Sequence, residues 1–127
     1  LAWILDHVEN PDRFGICIDT CHAYAAGYPL DTRKEYLATI RQLNQTIGTS
    51  SIKAFHLNDS KREFGSRVDR HDHIGQGHLG LEPFRHLLND RRFRSVPMYL
   101  ETPKGTDPDT GADWDQMNLD TLRALVE

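Results

Sequence analysis

The segment Phe14-Gly15-Ile16-Cys17-Ile18-Asp19-Thr20-Cys21-His22 decides the fold, because its short apolar run ends at side chains that can bind a metal ion. A run of this length and composition predicts a buried strand at residues 14–18. Two similar runs predict strands at residues 52–57 and 96–101, which end near His56 and at Glu101. The carboxyl ends of parallel strands share one edge, so we expect these side chains to converge there.

Helical segments alternate with the predicted strands. The sequence begins in what resembles a helix tail (residues 2–9), and a helix capped by Asp31 or Thr32 should run to about Ile47 and stop at Gly48. Further helices are predicted at 82–90 and 114–126. Alternation of this kind implies parallel βα units. A closed eight-stranded barrel needs about 250 residues, so a chain of 127 residues is a small open sheet or about three-eighths of a barrel.

Bulk properties narrow the class of protein. The 127 residues suit a single domain, and the start at Leu1 without Met leads us to expect a fragment of something longer. No apolar run approaches the roughly 20 residues of a membrane span. A net charge of −4 argues against a non-specific nucleic-acid binder, although bound metal would neutralise several acids. Cys17 and Cys21 are predicted to be two buried, reduced thiols of a cytosolic protein.

The first two candidate ligand clusters each have a structural alternative. Asp19 and His22 follow the first strand, where Asp19 could bind a cation or could simply cap the turn that follows, leaving His22 at the surface. His56 ends the second strand, where a lone histidine is more often structural. Because acids or histidines end all three predicted strands, coincidence is the poorer explanation.

The long polar segment 58–80 and the third strand supply the remaining candidates. Asp69 and His71 alternate along an extended segment, so they face the same way and can share one metal, although a salt bridge of Asp69 with nearby cations is the competing interpretation. Glu101 follows a buried apolar run, where an acid is costly unless it is paired or bound to a cation. Imidazole and carboxylate together suit Zn, Mn or Fe.

Other features of segment 58–80 are weaker indications of a functional site. Its stretch 75–80 matches GxGxxG, but no strand directly precedes it, so we reject a dinucleotide site and expect a flexible loop whose amides could approach a phosphate. His73 and His78 are not taken as ligands, because loop histidines are usually solvated. The sequence has no nucleophile elbow, P-loop or evident Ser-His-Asp arrangement, which leaves metal-assisted hydrolysis or isomerisation.

Four stretches of this sequence closely resemble the endonuclease IV family of abasic-site DNA endonucleases: residues 15–22, 56–61, 65–71 and 100–102. The resemblance runs essentially from end to end. It implies the C-terminal part, about three βα units, of an eight-stranded parallel α/β (TIM) barrel. It also implies a zinc-dependent DNA repair enzyme that hydrolyses the phosphodiester bond 5′ to an apurinic or apyrimidinic site and leaves a 3′-hydroxyl.

The resemblance also assigns residue roles. One zinc would be held by His22, Asp69 and His71. A second would use Asp19, His56 and Glu101, the expected catalytic set, together with a bridging Glu from an earlier strand. The third zinc of the family takes its ligands from the first half of the barrel, so this chain would hold six of nine ligand residues and at most one complete site. Manganese is an alternative ion.

The basic loop that contains Lys61, Arg62, Arg67 and Arg70 is the candidate DNA contact. Lys61, Arg67 and Arg70 are expected to contact phosphates, and the partner is double-stranded DNA with abasic sites. We expect the 127-residue chain to be inactive alone, and the full-length protein to be a cytoplasmic monomer with no membrane association. The alternatives are a metal-dependent sugar isomerase or epimerase with the same barrel, for which four loop cations are not needed, and a non-catalytic truncated half-barrel.

Overall fold

The computed structural model describes residues 2–10 and 13–127. The strands are β1 (Ile16–Asp19), β2 (Ile52–His56), β3 (Asp59–Ser60), β4 (His71–Asp72) and β5 (Met98–Tyr99). The helices are α1 (Ala2–Asp6), α2 (Thr20–Ala25), α3 (Arg33–Ile47), α4 (Glu82–Leu88) and α5 (Trp114–Ala124).

The main sheet has three parallel strands in the order β1-β2-β5. Asp19 at the end of β1 lies opposite His56 at the end of β2, and His56 lies opposite Tyr99 at the end of β5. The prediction of parallel βα units is therefore confirmed, and the three carboxyl ends meet at one edge. Strand β5 is shorter than the predicted 96–101 and continues as looser pairing, in which the Pro97 carbonyl accepts a hydrogen bond of 3.0 Å from the Phe55 amide.

Helix α3 follows the sequence-based prediction closely. Thr32, rather than Asp31, is its N-cap: the Thr32 hydroxyl accepts a bond of 3.2 Å from the Glu35 amide, and the Glu35 carboxylate accepts one of 3.0 Å from the Thr32 amide. This reciprocal capping box satisfies two amides that the helix cannot pair internally. Gly48 ends the helix with a φ of 73°, a conformation that costs glycine least.

The other helices differ from prediction at their ends. Helix α1 stops at Asp6, α4 at Leu88 and α5 at Ala124, each two or three residues before the predicted end. Helix α2 was not predicted, because six residues are too few to show apolar periodicity. In the described part of the chain, no helix combines the length and the apolar character needed to cross a membrane.

The hydrophobic core lies between the sheet and the long helices. Phe55 of β2 is 1% exposed and its ring meets that of Phe93 edge to face at 4.9 Å. Residues from three helices complete this core: Tyr36 and Ile40 of α3, Phe84 and Leu87 of α4, and Leu122 of α5. Packing of these apolar faces fixes the sheet, so the strand ends are held rigidly enough to carry a site.

Segment 58–80, predicted as a long loop, contains a second, two-stranded sheet. Strands β3 and β4 pair antiparallel, with Asp59 opposite Asp72 and Ser60 opposite His71. The start of the segment is the most deeply buried polar stretch described, since Asn58, Asp59 and Ser60 are all 0% exposed. The pairing carries His71 back to the end of β2, close to the carboxyl edge of the main sheet.

Candidate metal centre

The residues that follow β1, β2 and β5 form the first ligand group. His56 Nδ1 lies 2.7 Å from Glu101 Oε2 and 3.7 Å from Asp19 Oδ2. Ligand atoms of these three side chains all lie within 4.8 Å of one another, which is close enough for one ion to reach each of them. The group exists because the register sets Asp19 opposite His56, while β5 delivers Glu101 from the other side.

A second ligand group is formed by residues of helix α2, of strand β4 and of the loop that precedes β4. Asp69 bridges two imidazoles, with Oδ2 at 2.9 Å from His22 Nε2 and Oδ1 at 3.1 Å from His71 Nε2. His71 Nε2 also lies 3.6 Å from Asp19 Oδ2. Asp19, His22 and His71 place ligand atoms within 4.8 Å of one another. All six sequence-predicted ligand residues are thus brought together at one end of the molecule.

Asp19 belongs to both groups and also begins helix α2. Its Oδ1 accepts a 3.0 Å hydrogen bond from the His22 amide, which is the N-cap interaction. Its Oδ2 faces His56 and His71 instead. The capping role and the ligand role, which the sequence offers as alternatives, are therefore compatible, because a different oxygen of one carboxylate is available for each.

The state of His71 tests whether these residues fit a metal ion. Its Nδ1 lies 3.2 Å from the Glu101 carbonyl oxygen, and a carbonyl only accepts, so Nδ1 carries the proton. The buried Nε2 lies 3.1 Å from Asp69 Oδ1, but among the described residues it forms no hydrogen bond of acceptable geometry. A buried, bare imidazole nitrogen beside two carboxylates, held from behind by a carbonyl, is the arrangement that metal-binding histidines show. The donor set of imidazole and carboxylate suits zinc or manganese.

The two cysteines differ in their surroundings. Cys21 is fully buried, its thiol donates to the Arg70 carbonyl at 3.7 Å, and burial raises its pKa. Cys17 is also a free thiol, but it is exposed, so the prediction of two buried thiols is wrong for Cys17. Strand alternation is the reason: Ile18 packs against the core, whereas Cys17 points to the opposite face of the sheet, where it is exposed. Partial desolvation and then Asp19 and Glu101 raise the pKa of Cys17.

The basic loop, residues 61–70, is anchored on helix α2. The Gly65 amide donates to the Tyr24 carbonyl at 3.1 Å, and the Arg67 amide donates to the Ala25 carbonyl at 2.9 Å. Arg67 has a φ of 57°, which is uncommon for a residue with a side chain. Within the described part of the chain, the four cations of this loop are exposed and form no salt bridge: Lys61, Arg62, Arg67 and Arg70.

Asp59 organises the GxGxxG stretch. Its carboxylate accepts hydrogen bonds from the amides of Gly75 at 2.9 Å, Gly77 at 3.1 Å, Leu79 at 2.8 Å and Ser60 at 2.7 Å. The expectation that the loop amides are free to approach a phosphate is therefore wrong for these residues, because a buried carboxylate already occupies them. Burial raises the pKa of Asp59, although the four amides act in the opposite direction.

The two loop histidines belong to none of the ligand groups found among the described residues, but the expectation that they are solvated is wrong for His73. His73 is buried, stacks on Trp114 at 3.8 Å between ring centroids, and has Nδ1 at 3.1 Å from Asn118 Nδ2. Burial lowers its pKa, so the neutral ring is favoured. His78 is exposed and is a member of none of the ligand groups found among the described residues.

Sequence reasoning missed Asn58, the residue in contact with both ligand groups. Its Nδ2 donates to Asp19 Oδ2 at 2.8 Å, and its Oδ1 accepts from the Glu101 amide at 2.9 Å. A signal was available in the sequence, because polar residues placed directly after a buried strand must find partners. The identity of those partners depends on the packing of distant strands, which no local pattern reveals.

Comparison with known proteins agrees with this geometry. Residues 1–124 match the family described as xylose isomerase-like TIM barrel. The chain is 52% identical over 126 residues to the probable endonuclease 4 of Geobacter sulfurreducens, covering 99% of this chain and 41% of that relative. It is 46% identical over 109 residues to the apurinic-apyrimidinic endonuclease of Caenorhabditis elegans, covering 86% of this chain and 28% of that relative.

Similarity to the same class of proteins is also found among solved structures. The crystal structure of endonuclease IV from Thermus thermophilus superimposes with a TM-score of 0.79 at 38% identity, covering 98% of this chain and 41% of that chain. The chain therefore spans less than half the length of these relatives, and its three parallel strands form part of their barrel. It belongs to the endonuclease IV family of xylose isomerase-like TIM-barrel proteins.

Proposed function

We propose that this chain supplies the carboxyl-terminal part of a zinc-dependent endonuclease that hydrolyses the phosphodiester bond 5′ to abasic sites in double-stranded DNA and leaves a 3′-hydroxyl. One observation carries the proposal: Asp19 joins two adjacent ligand groups at the carboxyl edge of the sheet. The names of the relatives, endonuclease 4 and apurinic-apyrimidinic endonuclease, support the substrate class.

Each of the two ligand groups would bind its own metal ion. Asp19, His56 and Glu101 would hold one ion. His22, Asp69 and His71, in which Asp69 lies within 3.1 Å of both imidazoles, would hold another, and Asp19 also lies close to His71. Bound zinc supplies Lewis-acid activation of water and neutralises charge on the phosphate. By holding these ligands in place, the protein would present bound ions to a phosphate without rearrangement of the site.

The basic loop would hold the DNA backbone beside the ions. Lys61, Arg67 and Arg70 are exposed cations in the loop that also carries Asp69, so a bound phosphate chain would pass from the loop to the metal centre. Such contacts supply affinity that depends on salt, and they do not read bases. Specificity for a missing base would come from the lower cost of extruding a nucleotide at a damaged position.

The remaining length of the relatives would complete the enzyme. We infer that it would cover the open sheet face on which the exposed Cys17 and Tyr99 lie, and would add the remaining metal ligands. The 127-residue chain alone is therefore expected to bind an ion but not to cleave DNA.

A chimera tests this function. The unmatched amino-terminal part of the Geobacter sulfurreducens relative, joined to this chain, should cleave a duplex with one abasic site in the presence of zinc and leave an undamaged duplex intact. Extension of the product by a DNA polymerase would demonstrate the 3′-hydroxyl.

Two histidine variants provide the matched control for the chimera. His71→Ala should abolish cleavage, because His71 belongs to the second ligand group. His78→Ala should leave cleavage intact, because the exposed His78 lies in none of the ligand groups among the described residues. A zinc-loaded chimera that leaves the abasic duplex uncut, or that isomerises aldoses instead, would refute the proposal.

A further inference from the structure

We propose that Asn58 is the positioning residue of the metal centre: it orients the shared Asp19 carboxylate and the Glu101 backbone together, so that both ligand groups are formed at once. The inference rests on the proposed function, because it requires that the two groups hold metal ions. It assigns a role to a side chain that is itself no ligand.

The Asn58 carboxamide connects Asp19, which both groups share, to Glu101 of the first group. Its Nδ2 donates to Asp19 Oδ2 at 2.8 Å, and its Oδ1 accepts from the Glu101 amide at 2.9 Å. The side chain is 0% exposed, so water cannot replace either bond. The amide has one possible orientation, because a carboxylate only accepts and a backbone N–H only donates.

The backbone of Asn58 is fixed as well. The Thr20 hydroxyl accepts from the Asn58 amide at 2.9 Å and donates to the Asn58 carbonyl at 2.7 Å. Thr20 is the first residue of helix α2, whose N-cap is Asp19. Asn58 is therefore held to the same helix start that presents Asp19, and its carboxamide has little freedom to turn.

Through Glu101, Asn58 also acts on the second ligand group. The Glu101 amide binds Asn58, and the Glu101 carbonyl is the acceptor for His71 Nδ1 at 3.2 Å. His71 Nε2 then faces Asp19 Oδ2 at 3.6 Å, which closes a ring of four residues. A displacement of Asn58 would therefore move Asp19, Glu101 and His71 relative to one another.

The chemistry of the side chain suits this role. A carboxamide donates to Asp19 without bringing a positive charge, so the carboxylate keeps its full charge for the cation. A lysine or arginine at this position would compete with the ion for Asp19. Hydrogen bonds from such surrounding residues orient metal ligands, and their loss costs about 10–100-fold in metal affinity.

Cobalt titration of the 127-residue chain tests the inference. Co²⁺ affinity is measured by competition with a chromophoric chelator, and the visible spectrum at saturation reports the coordination geometry. Asn58→Leu should weaken Co²⁺ binding by about 10–100-fold and change that spectrum. Zn²⁺ in the same competition assay should show the same loss.

A matched control separates positioning from general stability. Asn89 is a partly buried amide whose hydrogen-bond partners are not ligand residues, and its Nδ2 donates to the Arg85 and Leu125 carbonyls at 2.9 Å each. Asn89→Leu should lower the stability to urea but leave Co²⁺ affinity and spectrum unchanged. If Asn58→Leu does not fold, as judged by circular dichroism, the smaller Asn58→Ala takes its place with the same expected losses.

The outcomes distinguish the positioning role of Asn58 from the proposed function of the metal centre. A folded Asn58 variant with wild-type affinity and spectrum overturns the positioning role and leaves the proposed function intact. A wild-type chain that binds neither Co²⁺ nor Zn²⁺ overturns the metal centre, and with it this inference. Weakened binding in the Asn58 variants, combined with a zinc-loaded chimera that does not cut DNA, supports the positioning role and refutes the endonuclease function.

Discussion

Two regions of the molecule are each built around a buried aspartate, and they use it in opposite ways. Asp59, in the segment that leads to the glycine-rich loop, is 0% exposed, and both of its oxygens are taken by four backbone amides. Asp19, at the candidate metal centre, is 7% exposed. From the described residues it accepts two amide hydrogen bonds, one from the His22 backbone and one from the Asn58 side chain. Its Oδ2 faces two imidazoles as well.

This contrast shows that burial alone does not identify a ligand. A carboxylate surrounded by amide donors is neutralised by the backbone and serves the fold. A neutral imidazole presents an accepting nitrogen as well as a donating one. A carboxylate oxygen that faces imidazoles therefore keeps lone pairs that can bind a cation. Four substitutions test this distinction, in decreasing order of their expected effect on the free energy of unfolding.

Removal of the Asp59 carboxylate should have the largest effect. Asp59→Ala should lower the free energy of unfolding by about 3–5 kcal/mol, because each buried donor left unpaired costs about 1–3 kcal/mol and water can reach some of them. Urea titration followed by circular dichroism measures the change. Asp72→Ala serves as the control, since Asp72 accepts a single amide bond, from His73 at 3.0 Å. Equal losses in the two variants would contradict the organising role of Asp59.

Gly77→Ala should have the next largest effect. A Cβ at this position would lie 2.4 Å from the Ser60 carbonyl oxygen and 2.5 Å from Asp59 Oδ1. Because backbone oxygen cannot move aside cheaply, we expect a loss of about 2–3 kcal/mol in urea unfolding. Gly65→Ala provides the comparison: nothing lies within 4 Å, and only its φ of 70° is strained, which costs about 1 kcal/mol. A smaller loss at Gly77 than at Gly65 would show that the close approach to Asp59 is not tight.

A third buried aspartate, Asp90, is paired with a cation and should respond to pH. Burial alone would raise the pKa of Asp90, but hydrogen bonds from Arg92 and Tyr36 outweigh it and hold the pKa below its usual value. Stability from a depressed pKa is present above the unfolded-state value of about 3.9 and is lost as the pH falls through the folded value.

The Asp90→Asn variant should therefore be less stable than wild type by about 1–2 kcal/mol at pH 7, since one partner of a charged hydrogen bond is lost. The difference should shrink at pH 3, which lies below the unfolded-state pKa of about 3.9, and should vanish as the pH falls through the lower folded-state pKa. Urea unfolding at the two pH values measures it. A difference that is constant with pH would mean that the charge of Asp90 contributes nothing.

Asp19→Asn should have the smallest effect on stability and the largest on metal binding. Asparagine caps helices about as well as aspartate, but its amide nitrogen cannot accept the hydrogen bond from Asn58, so the free energy of unfolding without metal should fall by about 1 kcal/mol. Co²⁺ binding should be lost, because Asp19 belongs to both ligand groups. Asp19→Ala should bind Co²⁺ no better than Asp19→Asn. Its free energy of unfolding should be lower by about a further 1 kcal/mol, because the helix cap is missing. Retention of wild-type Co²⁺ affinity in Asp19→Asn would place the ion elsewhere.

Sequence reasoning predicted the features that depend on local pattern. Strands β1 and β2 are apolar runs, and α3 has apolar spacing, a capping residue offered at Asp31 or Thr32, and a Gly stop. The convergence of Asp19, His56 and Glu101 followed from one general rule, that parallel strands end at the same edge. Each of these inferences needs only neighbours along the chain or the direction of the strands.

The features that sequence reasoning missed depend on contacts between distant segments. The amides of Gly75 and Gly77 are taken by Asp59, which precedes them by 16 and 18 residues. The exposure of Cys17 depends on which sheet face the helices cover, a fact that the nearly continuous apolar run of β1 does not encode. The role of Asn58 requires knowledge of where Asp19 and Glu101 lie in space.

The start of helix α2 has a consequence for length variation in this protein. Asp19 is the N-cap and His22 is the third helical residue, so the spacing that closes the first turn of the helix is also the spacing that presents both side chains to the site. A single inserted or deleted residue between them would break the turn and separate the pair in the same step. We therefore expect insertions and deletions to be excluded between Asp19 and His22 and to be tolerated first beyond Ala26, where the helix has ended.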